Sequence, residues 1–131
     1  MKTKTFLVSI FTFFFLISCN NDPIESALRE TSNSINKTCP LTVDQWTTLS
    51  NTMTLGKSIT YNYLVDSSVF QEFQITQDEW SKQQEIITIN LYCTNPDMVF
   101  FRDNNIDVSW SYIDFDGNMI DKFTADPSKC N

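Results

Sequence analysis

The chain carries two glycines in 131 residues. Each falls in a short connection between stretches of alternating apolar and polar residues. Asp116-Gly117 stands between Ile106–Phe115 and Asn118–Ala125. Asp-Gly between such runs is a hairpin signature, because a tight two-residue turn needs positive φ at both central positions. That turn would pair Phe115 with Asn118, Trp110 with Phe123 and Val108 with Ala125, and would put Tyr112 on the same face as Asp121. Gly56 stands between residues 46–53 and 58–66. In the second of these, Ile59, Tyr61, Tyr63 and Val65 share one face while Thr60 and Asn62 share the other. Turn chemistry and alternation therefore agree on two hairpins.

Helical signals surround the hairpins. Asp22 can cap a helix whose first turn holds Pro23 and Glu25. Ile24, Leu28, Thr31 and Ile35 would mark its buried face, and Pro40 prevents its continuation. Thr76-Gln77-Asp78-Glu79 spells a capping box. It predicts a helix over 77–92 with Trp80, Gln84, Ile87 and Leu91 on one face and Gln83 beside them. Residues 67–75 are ambiguous, with a two-residue period over too short a run. Asn95-Pro96-Asp97 opens a short turn through Phe101, which Asp103-Asn104-Asn105 would end. The expected class is α+β, with about four antiparallel strands in two hairpins and the N-terminal and central helices packed on one face.

The first 18 residues read as a leader. Lys2 and Lys4 precede an apolar run over 6–17, and the small Ser18 follows. This is the layout of a secretory signal peptide, too short for the about 20 residues a membrane-spanning helix needs. Leu16-Ile17-Ser18-Cys19 resembles the lipobox of bacterial lipoproteins. The resemblance implies cleavage before Cys19, acylation of that cysteine and attachment to the membrane through its lipid. Asn20, in place of an aspartate, favours the outer membrane if the cell has one. The expected boundaries are a signal peptide over 1–18, a lipidated tether over 19–23 and a single α+β domain over 24–131.

Loss of Lys2 and Lys4 leaves seven basic against sixteen acidic residues, a net charge of −9 for the mature chain. Phosphate backbones repel such a surface, so nucleic-acid binding is not expected. The chain has no histidine. That removes Ser-His-Asp and Cys-His catalysis and imidazole-ligated metals. There is no phosphate-binding glycine loop and no nucleotide fingerprint, so no cofactor is expected.

With Cys19 lipidated, Cys39, Cys93 and Cys130 remain for one disulfide in an envelope compartment. Cys130 is penultimate, and chain ends fray unless tied down, which makes it the first candidate. Cys93 closes the second predicted helix and is the preferred partner, with Cys39 as the alternative.

The segments Val43-Asp44-Gln45-Trp46-Thr47-Thr48-Leu49, Ile59-Thr60-Tyr61-Asn62-Tyr63 and Val108 through Gly117 resemble a group of small secreted or lipid-anchored bacterial proteins. Members share a Val-Asp start, a Tyr-x-Tyr strand, a helix ending in cysteine and a final Asp-Gly hairpin before a terminal cysteine. The resemblance spans about residues 24–130 and implies one α+β domain and a Cys93–Cys130 bridge. It implies nothing about activity. Trp46 departs from the pattern, which has a smaller or polar residue there.

Three candidate chemistries remain. Asp114, Asp116 and Asn118 begin like a calcium loop. An EF-hand, however, needs glycine at loop position six and glutamate at twelve, where this chain has Met119 and Ala125. A hairpin turn explains the same residues without a metal. Asp44, Asp78, Glu79 and Glu85 are candidate carboxylates for a small hydrolase of envelope glycans. That chemistry requires two of them held about 5–10 Å apart across a cleft. Trp46, Trp80, Trp110, Tyr61, Tyr63 and Tyr112 are numerous for so small a domain. Most are expected in the core, with Trp46 the candidate for an exposed binding residue. The resulting expectation is a lipid-anchored envelope protein that binds a protein or envelope component without catalysis.

Overall fold

The computed structural model describes residues 22–130. The leader and Cys19 lie outside the described residues. Element order is α1 (Pro23–Asn36), β1 (Leu41–Thr42), β2 (Thr47–Leu55), β3 (Ser58–Val65), α2 (Ser68–Glu72), α3 (Gln77–Thr94), α4 (Val99–Asp103), β4 (Asp107–Asp114) and β5 (Met119–Ala125). Short 3-10 turns over Pro96–Met98 and Pro127–Lys129 flank α4 and follow β5.

The five strands form one sheet in chain order. The class is α+β, as the patterning predicts. Both hairpins are present, and they join edge to edge through a parallel β3–β4 pair running from Ser58 opposite Asp107 to Val65 opposite Asp114. Parallel neighbours need a long crossover, and α2, α3 and α4 supply it. Residues 67–75, ambiguous by periodicity, hold α2. The fifth strand, β1, pairs two residues with β2.

The final hairpin keeps the expected register at Val108–Ala125, Trp110–Phe123 and Tyr112–Asp121, then shifts so that Ile113 pairs with Met119. The expected Phe115–Asn118 pair and two-residue turn do not form. Instead Oδ1 of Asp114 accepts from the backbone N–H of Asp116 at 2.9 Å and of Asn118 at 2.8 Å, and Asn118 Nδ2 donates to its Oδ2 at 3.0 Å. An aspartate that can satisfy three donors stabilises a longer loop over the tighter turn. The D-x-D-x-N spacing is used by this loop. Among the described residues no three His, Cys, Asp or Glu side chains gather as a metal site.

Helices cover one face of the sheet. On α1 the buried positions are Leu28 and Ser32. Thr31, read as part of the apolar stripe, sits at its margin. Ser32 is buried because its hydroxyl meets Thr52 Oγ1 at 2.7 Å. One turn on, Asn36 Oδ1 accepts from the Thr52 backbone N–H at 2.6 Å and Asn36 Nδ2 donates to the Thr52 carbonyl at 2.9 Å. The carboxamide thus stands where the next strand would pair with β2. A bulge at Ser50 shifts the β2 register between Leu49 and Asn51. It turns both Leu49 and Thr52 toward the helices.

The core holds Leu28, Ile59, Val65, Trp80, Tyr92, Ile106, Val108, Trp110, Tyr112, Phe123 and Ala125. Cys93 and Cys130 are joined by a disulfide that ties the C-terminus to the end of α3. Cys39 is free.

Aspartate and glutamate caps hold the turns. Asp22, Asp66 and Glu79 sit below the usual carboxylate range chiefly because the backbone N–H groups of Ile24, Ser68 and Thr76 donate to them. Asp114 and Asp126 are lowered chiefly by the side chains of Asn118 and Ser128. A carboxyl whose folded pKa is depressed contributes stability that is present above its unfolded value and lost as pH falls through the folded one. Thermal melts should therefore be flat from about pH 7 to pH 5 and fall in midpoint below about pH 4. A midpoint unchanged at pH 3 would contradict these caps.

Candidate functional site

α1 packs on β2 and β3, whereas α3 packs on β5. The middle of the helix-side face is left partly open, and a groove of about 550 Å³ lies there. Its floor is Tyr63, Trp110 and Tyr112. The parallel register sets Tyr61 opposite Trp110 and Tyr63 opposite Tyr112. Their rings consequently stack across the strands, with centroids 6.5 Å and 5.1 Å apart.

Trp80, Gln83, Gln84, Ile87 and Leu91 of α3 form one wall. Sequence periodicity puts Trp80, Gln84, Ile87 and Leu91 on one face of the helix. In the structure the residues α3 buries are Trp80, Ser81, Thr88 and Tyr92. Small Ser81 and Thr88 suit the side that lies close to the sheet. The disulfide at Cys93 and the Tyr92 hydroxyl, which donates to the Ile106 carbonyl at 3.2 Å, hold the helix in that rotation. Trp80 and Thr88 serve both faces, and Trp80 lies edge-on to Tyr112 at 5.1 Å. The rest of the apolar stripe faces the groove.

The loop before β2 and the segment around α2 close one end. Asp44 Oδ1 accepts from the backbone N–H of Trp46 and of Thr47, both at 2.8 Å. This turn presents Val43, Asp44 and Trp46 to the groove. The Trp46 ring meets Phe73 edge-to-face at 4.9 Å. Trp46 is half-buried, not free on the surface, and it precedes β2 instead of opening it. Phe73 and Ile75 complete this end. Sequence reasoning missed both, because they belong to the segment whose periodicity was ambiguous.

The groove is apolar and unfilled by its own side chains. Val43 is 56 % exposed, Phe73 53 % and Ile87 57 %. Polar groups are few. The hydroxyls of Tyr63 and Tyr112 and the carboxamides of Gln83 and Gln84 make no hydrogen bond to another described residue. Burial, with smaller contributions from Tyr61 and Cys39, pushes the Tyr63 phenol up to about 12. Burial, with Tyr63 and Asp44, pushes Tyr112 higher still. Both stay neutral hydroxyls at any physiological pH.

Among the described residues Asp44 is the single carboxylate lining the groove. Asp78, Glu79 and Glu85 lie on the exposed side of α3, and Glu79 is used by the capping box. The two-carboxylate geometry of a glycan hydrolase is therefore not assembled here. A shallower depression beside the disulfide, about 560 Å³, holds Glu85 and Lys129 and no aromatic ring. The opposite face of the sheet carries polar rows such as Asn51, Asn62, Ser111 and Lys122 in register across four strands. Among the described residues no helix is long and apolar enough to cross a membrane.

No protein-family model matches the chain, and no curated protein matches its sequence. Solved structures share its fold. A Pseudomonas aeruginosa protein described as secreted superposes with a TM-score of 0.71 at 9 % identity, over 83 % of this chain and 94 % of that one. The type 2 secretion system pilotin EpsS of Vibrio vulnificus gives 0.67 at 7 % identity, over 83 % and 93 %. The type II secretion system pilotin AspS of Vibrio cholerae gives 0.63 at 12 % identity, over 82 % and 93 %. At these identities the likeness is one of fold: the chain has the architecture seen in secreted and pilotin proteins of bacteria.

Proposed function

We propose that this chain is a lipid-anchored protein of the bacterial envelope that works by binding, not catalysis, and that its groove holds a segment of a protein partner. The groove carries the reading. It combines exposed apolar side chains, an aromatic floor and unpaired hydroxyl and carboxamide groups in one concavity, the composition of a recognition site. Peptide segments suit it, since they bring apolar side chains for the rings and amides for the free hydroxyls. Anchorage rests on Cys19 directly after the apolar run and on Asn20, which favours the outer membrane of a diderm cell. Pilotins among the structural neighbours make a non-enzymatic envelope role a natural one for this architecture.

The test uses the full chain in its own cells, with a photo-crosslinking residue at Gln84 in the groove or at Thr124 on the opposite sheet face. Gln84 should capture a defined protein that Thr124 does not, and Trp46→Ala should weaken that capture at least fivefold. Cys19→Ser should release the protein from the membrane fraction. Equal capture at both positions would overturn the binding role, and unchanged fractionation of Cys19→Ser would overturn the anchor.

A further inference from the structure

The chemistry of the groove is lopsided. None of the seven basic residues in the described part, Arg29, Lys37, Lys57, Lys82, Arg102, Lys122 and Lys129, lines it. Among the described residues its one charged group is Asp44. The loop uses Oδ1 of that carboxylate, and Oδ2 makes no hydrogen bond or salt bridge with another described residue. Among the described residues no basic side chain forms a salt bridge with it, and the ion pair present is Lys57 with Asp22. The same groove is lined by the rings of Trp46, Tyr63, Trp110 and Tyr112. Aromatic faces are electron-rich and attract a cation held within about 6 Å of the ring. The free oxygens of Tyr63, Tyr112, Gln83 and Gln84 accept hydrogen bonds from an N–H donor. Over longer range, the net charge of −9 on the mature chain steers cations inward.

We propose that the groove reads a positive charge: it seats the guanidinium or ammonium of an arginine or lysine side chain in the partner segment, over the aromatic floor and against Asp44. An acidic segment would meet Asp44 and the overall field as repulsion. A wholly apolar segment would leave the carboxylate and both tyrosine hydroxyls unanswered, and unanswered polar groups weaken binding. Arginine fits best, because its flat guanidinium stacks on rings and donates several hydrogen bonds in one plane.

This inference rests on the groove being a protein-binding site, and the experiment separates the two. The full lipidated chain in neutral detergent is titrated with three blocked tripeptides, Leu-Arg-Leu, Leu-citrulline-Leu and Leu-Leu-Leu, read by intrinsic tryptophan fluorescence. Citrulline keeps the shape of arginine and removes its charge. The arginine peptide should bind about five- to tenfold more tightly than the citrulline one. In Asp44→Asn the gap should shrink to less than about twofold. Asparagine retains the Oδ1 acceptor for Trp46 and Thr47, so the loop is kept while the charge is lost. Equal affinity for the arginine and citrulline peptides would overturn the charge reading and leave the groove as a binding site. Saturable binding of none of the three would overturn both.

Discussion

Replacing Cys93 and Cys130 together with alanine is expected to lower the free energy of unfolding by about 4 kcal/mol. The two cysteines are 37 residues apart in sequence, so the bond closes a long loop in the unfolded chain. Loop closure of that length removes much of the entropy that unfolding would otherwise recover. The bridge also has a local task. β5 ends at Ala125, and the last residues reach α3 through the turn Pro127–Lys129. Without the bond this end frays, and α3 loses the constraint that holds Tyr92 inward. The thermal midpoint should fall on the order of 15 °C, and the same fall should follow reduction of the unaltered protein. Cys39→Ser, at the free cysteine, should shift stability by less than about 1 kcal/mol. A loss under about 1 kcal/mol for the double variant would show that packing, not the bond, holds the C-terminus.

Asn36→Ala should cost about 2–3 kcal/mol, far more than a half-buried helix residue ordinarily would. One carboxamide satisfies both the N–H and the C=O of Thr52 and also accepts from the Thr52 hydroxyl at 3.0 Å. Alanine removes all three contacts at once and leaves the Thr52 N–H unpaired beside buried Ser32, whose hydroxyl still donates to the Thr52 carbonyl at 3.2 Å. Urea unfolding checks this. The midpoint should fall with an unchanged slope, since the surface exposed on unfolding stays the same. Asn33→Ala, three residues earlier on the exposed side, should stay within about 0.5 kcal/mol. Asn36→Ala should also aggregate faster, because the carboxamide occupies the free edge of β2, and open strand edges recruit other strands. An effect no larger than that of Asn33→Ala would mean water replaces the carboxamide without loss.

These two sites differ in how far residue patterns reveal them. Cys130 near the chain end and Cys93 at a helix terminus stand out as residue types. Asn36 does not. Its role depends on Thr52, sixteen positions away on another element. Ser32 and Thr52 are polar, so an apolar-stripe reading passes over them. They are buried because each satisfies the other, a condition that no single position displays.

The groove shows the same limit. All but one of the aromatic residues singled out from sequence lie on the floor or in the core, and Trp46 lines the groove. Its walls were hidden in the stripe Trp80, Gln84, Ile87 and Leu91, which has the spacing of a buried helix face. A period of 3.6 states that these side chains share a side of α3, not what that side meets. Phe73 and Ile75 lay in a segment too short for either period to decide.

Local patterning alone determined the hairpins, the capped helices and the register of Trp110 with Phe123, since each is set by turn, cap and alternation patterns within one short stretch of chain. It also marked Cys19 and the acidic balance, which need no fold to be read. The tertiary structure decided the parallel join of β3 to β4, the rotation of α3 and the gap between the helices. Each of these depends on how separate elements divide one apolar surface among themselves. A chain can announce which of its faces avoid water, but which of them find a partner within the molecule is settled by packing.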